Sequence, residues 1–167
     1  SAKLGALGIG LYRTEIPFMN RHCFPSEQEQ THLYEKVLGV FPDYSVTMRT
    51  LDVGGDKSLP YFPINEENPF LGWRGIRITL DHPEIFLVQV RAMMRANRNF
   101  GNLEIMLPMI SSVEEVDESI RLINQAFFEL QAELTKETVN QLMSINEVPV
   151  YTLEQAQLKA QAKSAKL

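Results

Sequence analysis

The chain has 167 residues, 44% hydrophobic and 22% charged, the balance of a globular domain able to bury a sizeable core. Its 16 Lys and Arg against 21 Asp and Glu give a net charge of −5, which excludes a general electrostatic grip on nucleic acid. A single cysteine, Cys23, excludes an internal disulfide, and no uninterrupted apolar run approaches the ~18 residues of a membrane span. The expectation is a cytoplasmic chain with neither a nucleic-acid nor a membrane partner.

Strand-like and helix-like stretches alternate. Gly-Ile-Gly-Leu-Tyr-Arg (8–13) is short, apolar and flanked by turn residues, as a buried strand is. Ser26 with Glu29 three residues on forms a capping-box pattern and opens a helix. Ser-Val-Thr-Met-Arg-Thr (45–50) is the second strand. The connection over 52–72, rich in Gly, Pro and Asn, is too long for a simple link and marks a functional loop. Pro83 suits the first turn of a helix that turns Phe86, Val90, Met93 and Met94 inward. Leu-Glu-Ile-Met-Leu-Pro-Met (103–109) is the third strand, and Ser112 with Glu115 repeats the capping box. Beyond it Val113, Val116, Ile120, Ile123, Phe127, Leu130 and Leu134 predict one apolar face of a long helix.

Strand then helix, repeated, argues for an α/β fold built on a parallel sheet. A closed (β/α)8 or TIM barrel takes about 250 residues. The expectation is therefore four or five consecutive βα units, about half a barrel, over 1–135. The tail, 136–167, is read as a possible further strand, a fifth, followed by an exposed helix, because 150–167 is rich in Ala, Gln and Lys. The chain begins and ends with Ser-Ala-Lys-Leu, so the tail is either sequence from ahead of the first strand placed behind the last, or a coincidence of two similar helices.

Three arginines sit where parallel α/β folds bind ligands, at the carboxyl ends of strands: Arg13 ends the first, Arg49 nears the end of the second, and Arg74 follows the long loop. Guanidinium forks suit phosphate and carboxylate oxygens. The plainer alternative pairs each with a neighbouring acid such as Glu15 or Asp52. Asp-Val-Gly-Gly-Asp-Lys (52–57) adds two glycines for close backbone approach and the cation Lys57, in what is equally a surface turn.

Four segments in order, Gly-Ile-Gly-Leu-Tyr-Arg-Thr-Glu (8–15), Arg-Thr-Leu-Asp-Val-Gly-Gly-Asp-Lys (49–57), Glu-Glu-Asn-Pro-Phe-Leu-Gly-Trp-Arg (66–74) and Met-Leu-Pro-Met-Ile-Ser-Ser (106–112), resemble the signatures of the phosphoenolpyruvate (PEP)-protein phosphotransferases, Enzyme I of the bacterial phosphotransferase system. Ile-Pro-Phe-Met (16–19) and 72–80 resemble its nitrogen-related branch. The resemblance spans about 5–135 and implies a transferase. Its members pass the phosphoryl group of PEP to a histidine on another domain and then to a histidine phosphocarrier protein, and are expected to be dimers. It implies that Arg13, Arg49 and Arg74 bind PEP, with Lys57 and Asn68 beside them. It implies Mg²⁺ held by Glu147 of Glu-Val-Pro (147–149), although the later Asn-Asp motif is missing. Cys23 does not match the family's catalytic cysteine, and His22, His32 and His82 match no motif. Alone, then, the chain is expected not to transfer phosphate, and to associate with a copy or a partner that completes the barrel. Two rivals stay open: a pyruvate phosphate dikinase or PEP synthase fragment, and a non-catalytic barrel half that serves dimerisation or partner contact.

Overall fold

The computed structural model describes residues 5–54, 57, 59–64 and 71–133, together with the backbone of 150–151. Four strands, β1 (Ile9–Arg13), β2 (Val46–Arg49), β3 (Leu103–Met106) and β4 (Val150–Tyr151), lie side by side in chain order and all run parallel. Helix α1 (Glu27–Leu38) joins β1 to β2, α2 (Ile76–Asp81) and α3 (Pro83–Asn97) join β2 to β3, and α4 (Val113–Ala132) leads towards β4. Three complete strand–helix units and a fourth strand are thus in place. Val150–Tyr151, which form β4, are a fourth strand rather than a fifth, and they stand at the start of the stretch, 150–167, read as helix. The rest of the proposed tail helix, Asn68, Leu134 and Glu147 lie outside the described residues.

Both capping boxes form as the spacing predicts. Ser26 Oγ accepts from the Glu29 N–H at 3.3 Å while Glu29 accepts from the Ser26 N–H at 2.9 Å; Ser112 and Glu115 repeat this at 3.3 and 3.1 Å. Each box pairs two backbone donors that the first helical turn leaves unpaired.

Alternation in the strands sorts the residues by face. Val46 and Met48 on β2, with Leu103 and Ile105 on β3, enter one large core with Tyr34 and Leu38 of α1, Phe86, Val90 and Met93 of α3, and Leu122 and Ala126 of α4. The alternate residues, Thr47 and Arg49 on β2 and Glu104 on β3, turn to the other face, where Thr47 donates to Glu104 at 3.0 Å. A smaller second core, Phe18, Leu51, Val53, Leu59 and Ile78, gathers the long loop against the β1–α1 connection.

Four features differ from expectation. β1, expected as a buried strand, ends the order of the described strands: none of its residues is buried and Leu11 is 41% exposed. The strand is covered on one side only, by Ile9 and Tyr12 packing on the large core. α4 is rotated about its axis: it buries Ser119, Leu122, Ala126, Phe127 and Leu130, leaving Val113 70% and Ile120 43% exposed. The small Ser119 and Ala126 let the helix approach closely, so its contact face centres on them rather than on the bulkiest stripe. β3 stops at Met106, because Pro108 cannot donate to a sheet and Met109 adopts a left-handed backbone (φ +63°) that turns the chain towards Ser112. The short α2 is unannounced by any capping side chain; it begins at Gly75, whose φ of +57° an L residue adopts only under strain.

Candidate functional site

The parallel register sets the site. Arg13 pairs across the sheet with Arg49, Arg49 with Met106, and Met106 with Tyr151, so one row of residues marks the carboxyl edge. Arg13 and Arg49 therefore leave adjacent strands at the same level. Both converge on Glu15, two residues past the end of β1 and fully buried: its Oε1 accepts from Arg13 Nε at 3.0 Å and from Arg49 Nη2.

The long loop adds two more cations. Lys57 Nζ lies 2.8 Å from Asp52 Oδ2 and 3.3 Å from Glu15 Oε1. Arg74 grips Asp52 with its fork, Nη2 at 3.0 and 3.1 Å from the two carboxylate oxygens and Nε at 3.3 Å from one. Arg49 Nη1 completes the ring at 3.0 Å from Asp52 Oδ2. Burial pushes the Asp52 carboxyl up, but Lys57, Arg49 and Arg74 together outweigh it and hold the group below the usual carboxylate value.

The loop geometry depends on a glycine. At Gly54 (φ +119°) an added Cβ would lie 2.6 Å from the Arg74 Cβ, so only a residue without a side chain lets the two segments pass. Arg77 braces the same segment from outside, donating to the carbonyls of Leu71 and Gly72 and to Ser111 at the entry to α4.

Four cations surrounding two carboxylates leave a local charge of +2, in a chain whose overall charge is −5. Two buried atoms in the cluster, Arg49 Nε and Glu15 Oε2, have no hydrogen-bond partner among the described residues. A buried N–H donor without an acceptor, inside a positive cluster at a sheet's carboxyl edge, is a place for an anion. The arrangement suits a small ligand with several acidic oxygens.

A sequence pattern described as "PEP-utilising enzyme, PEP-binding domain" matches residues 1–163. The chain belongs to the PEP-utilising enzyme family. Over 131 residues, 77% of its length, it is 65% identical to proteins of Salmonella typhimurium and of Escherichia coli, each named phosphoenolpyruvate-dependent phosphotransferase system. Over 138 residues, 82% of its length, it is 47% identical to a phosphoenolpyruvate-protein phosphotransferase of Buchnera aphidicola. The chain spans about a fifth of the length of these curated relatives: 18% of the first two and 23% of the third.

Of the residues singled out in this family member's sequence, the fold brings together Arg13, Arg49, Lys57 and Arg74. Pairing with Glu15 and Asp52, the plainer alternative, also holds, and it assembles the cluster rather than competing with it. Cys23 is exposed, and His32 and His82 pair with Glu35 and Glu84. Among the described residues no group of three or more His, Cys, Asp or Glu could hold a metal ion, and no helix is long and apolar enough to cross a membrane. Glu15 and Asp52 do not fit Mg²⁺, because each already faces two or more cations. Sequence reasoning missed Gln89, which ties the site to the helices behind it. Its one signal was a glutamine in the inward stripe of α3, between Phe86 and Met93.

Proposed function

We propose that this chain is the phosphoenolpyruvate-gripping part of a phosphoenolpyruvate-protein phosphotransferase, and that Arg13, Arg49, Lys57 and Arg74 hold the substrate. The observation that supports this reading most strongly is the convergence of these four cations, with a net charge of +2, at one carboxyl edge. PEP carries a phosphate ester beside a carboxylate, and guanidinium forks from two directions match both groups. In transfer, the bond from phosphorus to the enol oxygen breaks as a histidine nitrogen on another domain bonds to phosphorus, and the enolate that leaves takes a proton from water at its methylene carbon to become pyruvate. Charge spreads over the phosphoryl oxygens on the way, and fixed cations stabilise it without reorganising.

On this reading the strand–helix units over 1–135 form about half of a (β/α)8 barrel, with residues beyond them completing it. Asn68 adds a substrate contact, and the phosphoryl group passes onward to a histidine phosphocarrier protein in the cytoplasm, from a homodimer. Magnesium, when bound, would be held by Glu147 and would add positive charge beside the phosphoryl oxygens. The acceptor histidine would stand on another domain, so these residues by themselves would bind PEP without transferring its phosphoryl group. The names of the relatives and the family match over 1–163 support the phosphoenolpyruvate-phosphotransferase reading.

Calorimetric titration of the chain with PEP, with and without Mg²⁺, tests it. The expected result is saturable binding that weakens with added salt and is lost in Arg49→Lys, which keeps the charge but not the fork. Absence of binding by the unaltered chain, or full binding by Arg49→Lys, overturns the reading and favours a non-catalytic module.

A further inference from the structure

A chain of buried polar groups lies directly behind the cation cluster, and the chemistry proposed above makes no use of it. Gln89 on α3 is 1% exposed, in a helix face otherwise made of Phe86, Val90 and Met93. Its Nε2 donates to Thr14 Oγ1 and to the Tyr34 hydroxyl, each at 3.1 Å, and its Oε1 accepts from the Leu51 N–H at 2.7 Å. Thr14 Oγ1 donates onward to the Arg49 carbonyl at 2.8 Å. On the other side Tyr34 donates to Gln30 at 3.0 Å, and Gln30 to the Pro25 carbonyl at 2.9 Å. Burial pushes the Tyr34 phenol above its ordinary value, so its hydroxyl keeps the proton it donates.

Direction is fixed throughout. The Leu51 N–H can only donate, so Gln89 must present its oxygen there and its amide protons to the two hydroxyls. Each hydroxyl then has one acceptor left to reach: a carbonyl or Gln30. A buried network with every member bonded specifies a single arrangement, whereas a partly bonded one is costly.

The backbone points it holds are those that carry the cluster. Thr14 stands between Arg13 and Glu15; the Arg49 carbonyl belongs to the second arginine; Leu51 adjoins Asp52. We infer that Gln89 is a positioning residue, which through Thr14 and Leu51 locks the ends of β1 and β2 so that Arg13 and Arg49 meet on Glu15. Thr14 is the link that couples the two strand ends. An apolar residue of the same volume would fill the core equally well but would leave Leu51 N–H, Thr14 and Tyr34 without a common partner.

The test uses this chain with Gln89→Met, Thr14→Val and Thr14→Ser, each followed by the Nε–H resonances of Arg13 and Arg49 in ¹⁵N-edited NMR, by calorimetric titration with inorganic phosphate, and by thermal melting. Gln89→Met and Thr14→Val are expected to shift both arginine resonances and weaken phosphate binding several-fold, and Thr14→Ser to restore both. Melting that falls while the arginine resonances and phosphate affinity stay unchanged overturns the inference and leaves Gln89 as core filling. Thr14→Ser behaving as Thr14→Val also overturns it, since the hydroxyl would not be the link. If Gln89→Met does not fold, the Thr14 pair decides. The affinity arm rests on the proposed function: if the unaltered chain binds neither phosphate nor PEP, that reading fails, and the arginine resonances alone settle this one.

Discussion

Replacing Glu15 by glutamine should loosen the fold and tighten anion binding at once. Oε1 of Glu15 is the meeting point of Arg13 Nε at 3.0 Å, Arg49 Nη2 and Lys57 Nζ at 3.3 Å, and the side chain is fully buried. Removing one partner of a buried ion pair costs about 3–5 kcal/mol. The lower end applies here, because Asp52 still holds Arg49 at 3.0 Å, Lys57 at 2.8 Å and Arg74 at 3.0 Å. Against that loss, four cations around one carboxylate leave +3 where there was +2. A unit charge about 5 Å from a bound anion contributes about 3 kcal/mol at an effective dielectric of about 20. Reorientation of Arg13, which loses its only ion-pair partner among the described residues, offsets part of this. We expect phosphate affinity to rise about tenfold, equivalent to ~1.4 kcal/mol. Urea denaturation would read the first effect, and calorimetric titration with phosphate at two salt concentrations the second. Weaker phosphate binding by the folded Glu15→Gln chain would refute the argument, since Glu15 would then be serving the anion rather than opposing it.

Gly54→Ala should cost about 1–3 kcal/mol through its φ of +119° and weaken phosphate binding by pushing Arg74 aside, while Gly10→Ala, where nothing lies within 4 Å, should leave urea midpoint and affinity nearly unchanged. Arg91→Met should remove the tie from α3 to Glu27 on α1 and Glu129 on α4, costing about 1–2 kcal/mol in denaturation yet leaving phosphate affinity intact. Arg21 and the Ser26 cap hold the Glu29 carboxyl down to about 2, and Arg91 pairing lowers that of Glu133. Depressed folded values mean stabilisation that is complete above the ordinary carboxylate pKa near 4.3 and is lost as pH falls through the folded values, so helicity followed by circular dichroism should decline below about pH 4, more shallowly in Glu29→Gln.

What the sequence made legible was local. The capping serines announce α1 and α4 because the bonds they make span three residues, and β1 and β2 announce themselves as short apolar runs ending in arginine. Strand-end placement brought Arg13 and Arg49 under suspicion, since a parallel sheet delivers such residues to one edge, and Arg74 joined them because it follows the long loop; the family resemblance pointed to the same three. What stayed illegible was long-range. Gln89 meets Thr14 across 75 positions and Leu51 across 38, and no periodicity encodes such a meeting. The packing face of α4 was misjudged for a related reason. Hydrophobic spacing gives a stripe, but close approach at Ser119 and Ala126 decides which part of it turns inward.

The two apolar cores explain why a site made of like charges can hold its shape. Arg13 and Arg49 are carried by strands whose opposite face enters the larger core, and the Gln89 network pins their ends to α1 and α3. Lys57 and Arg74 hang on the loop, which has its own core of Phe18, Leu51, Val53, Leu59 and Ile78 and a backbone tie from the Gly75 N–H to the Val53 carbonyl at 3.3 Å. Mutual repulsion among four cations is thus opposed twice, by Glu15 and Asp52 within the cluster and by apolar burial beneath it. Cations already fixed in place need no ordering when an anion arrives, so little of the attraction is consumed in arranging them. Each carboxylate then has two effects that act in opposite directions, assembling the cluster and competing with the anion proposed to bind there. That opposition is why a substitution at Glu15 should separate stability from affinity, whereas one at Gly54 should lower both.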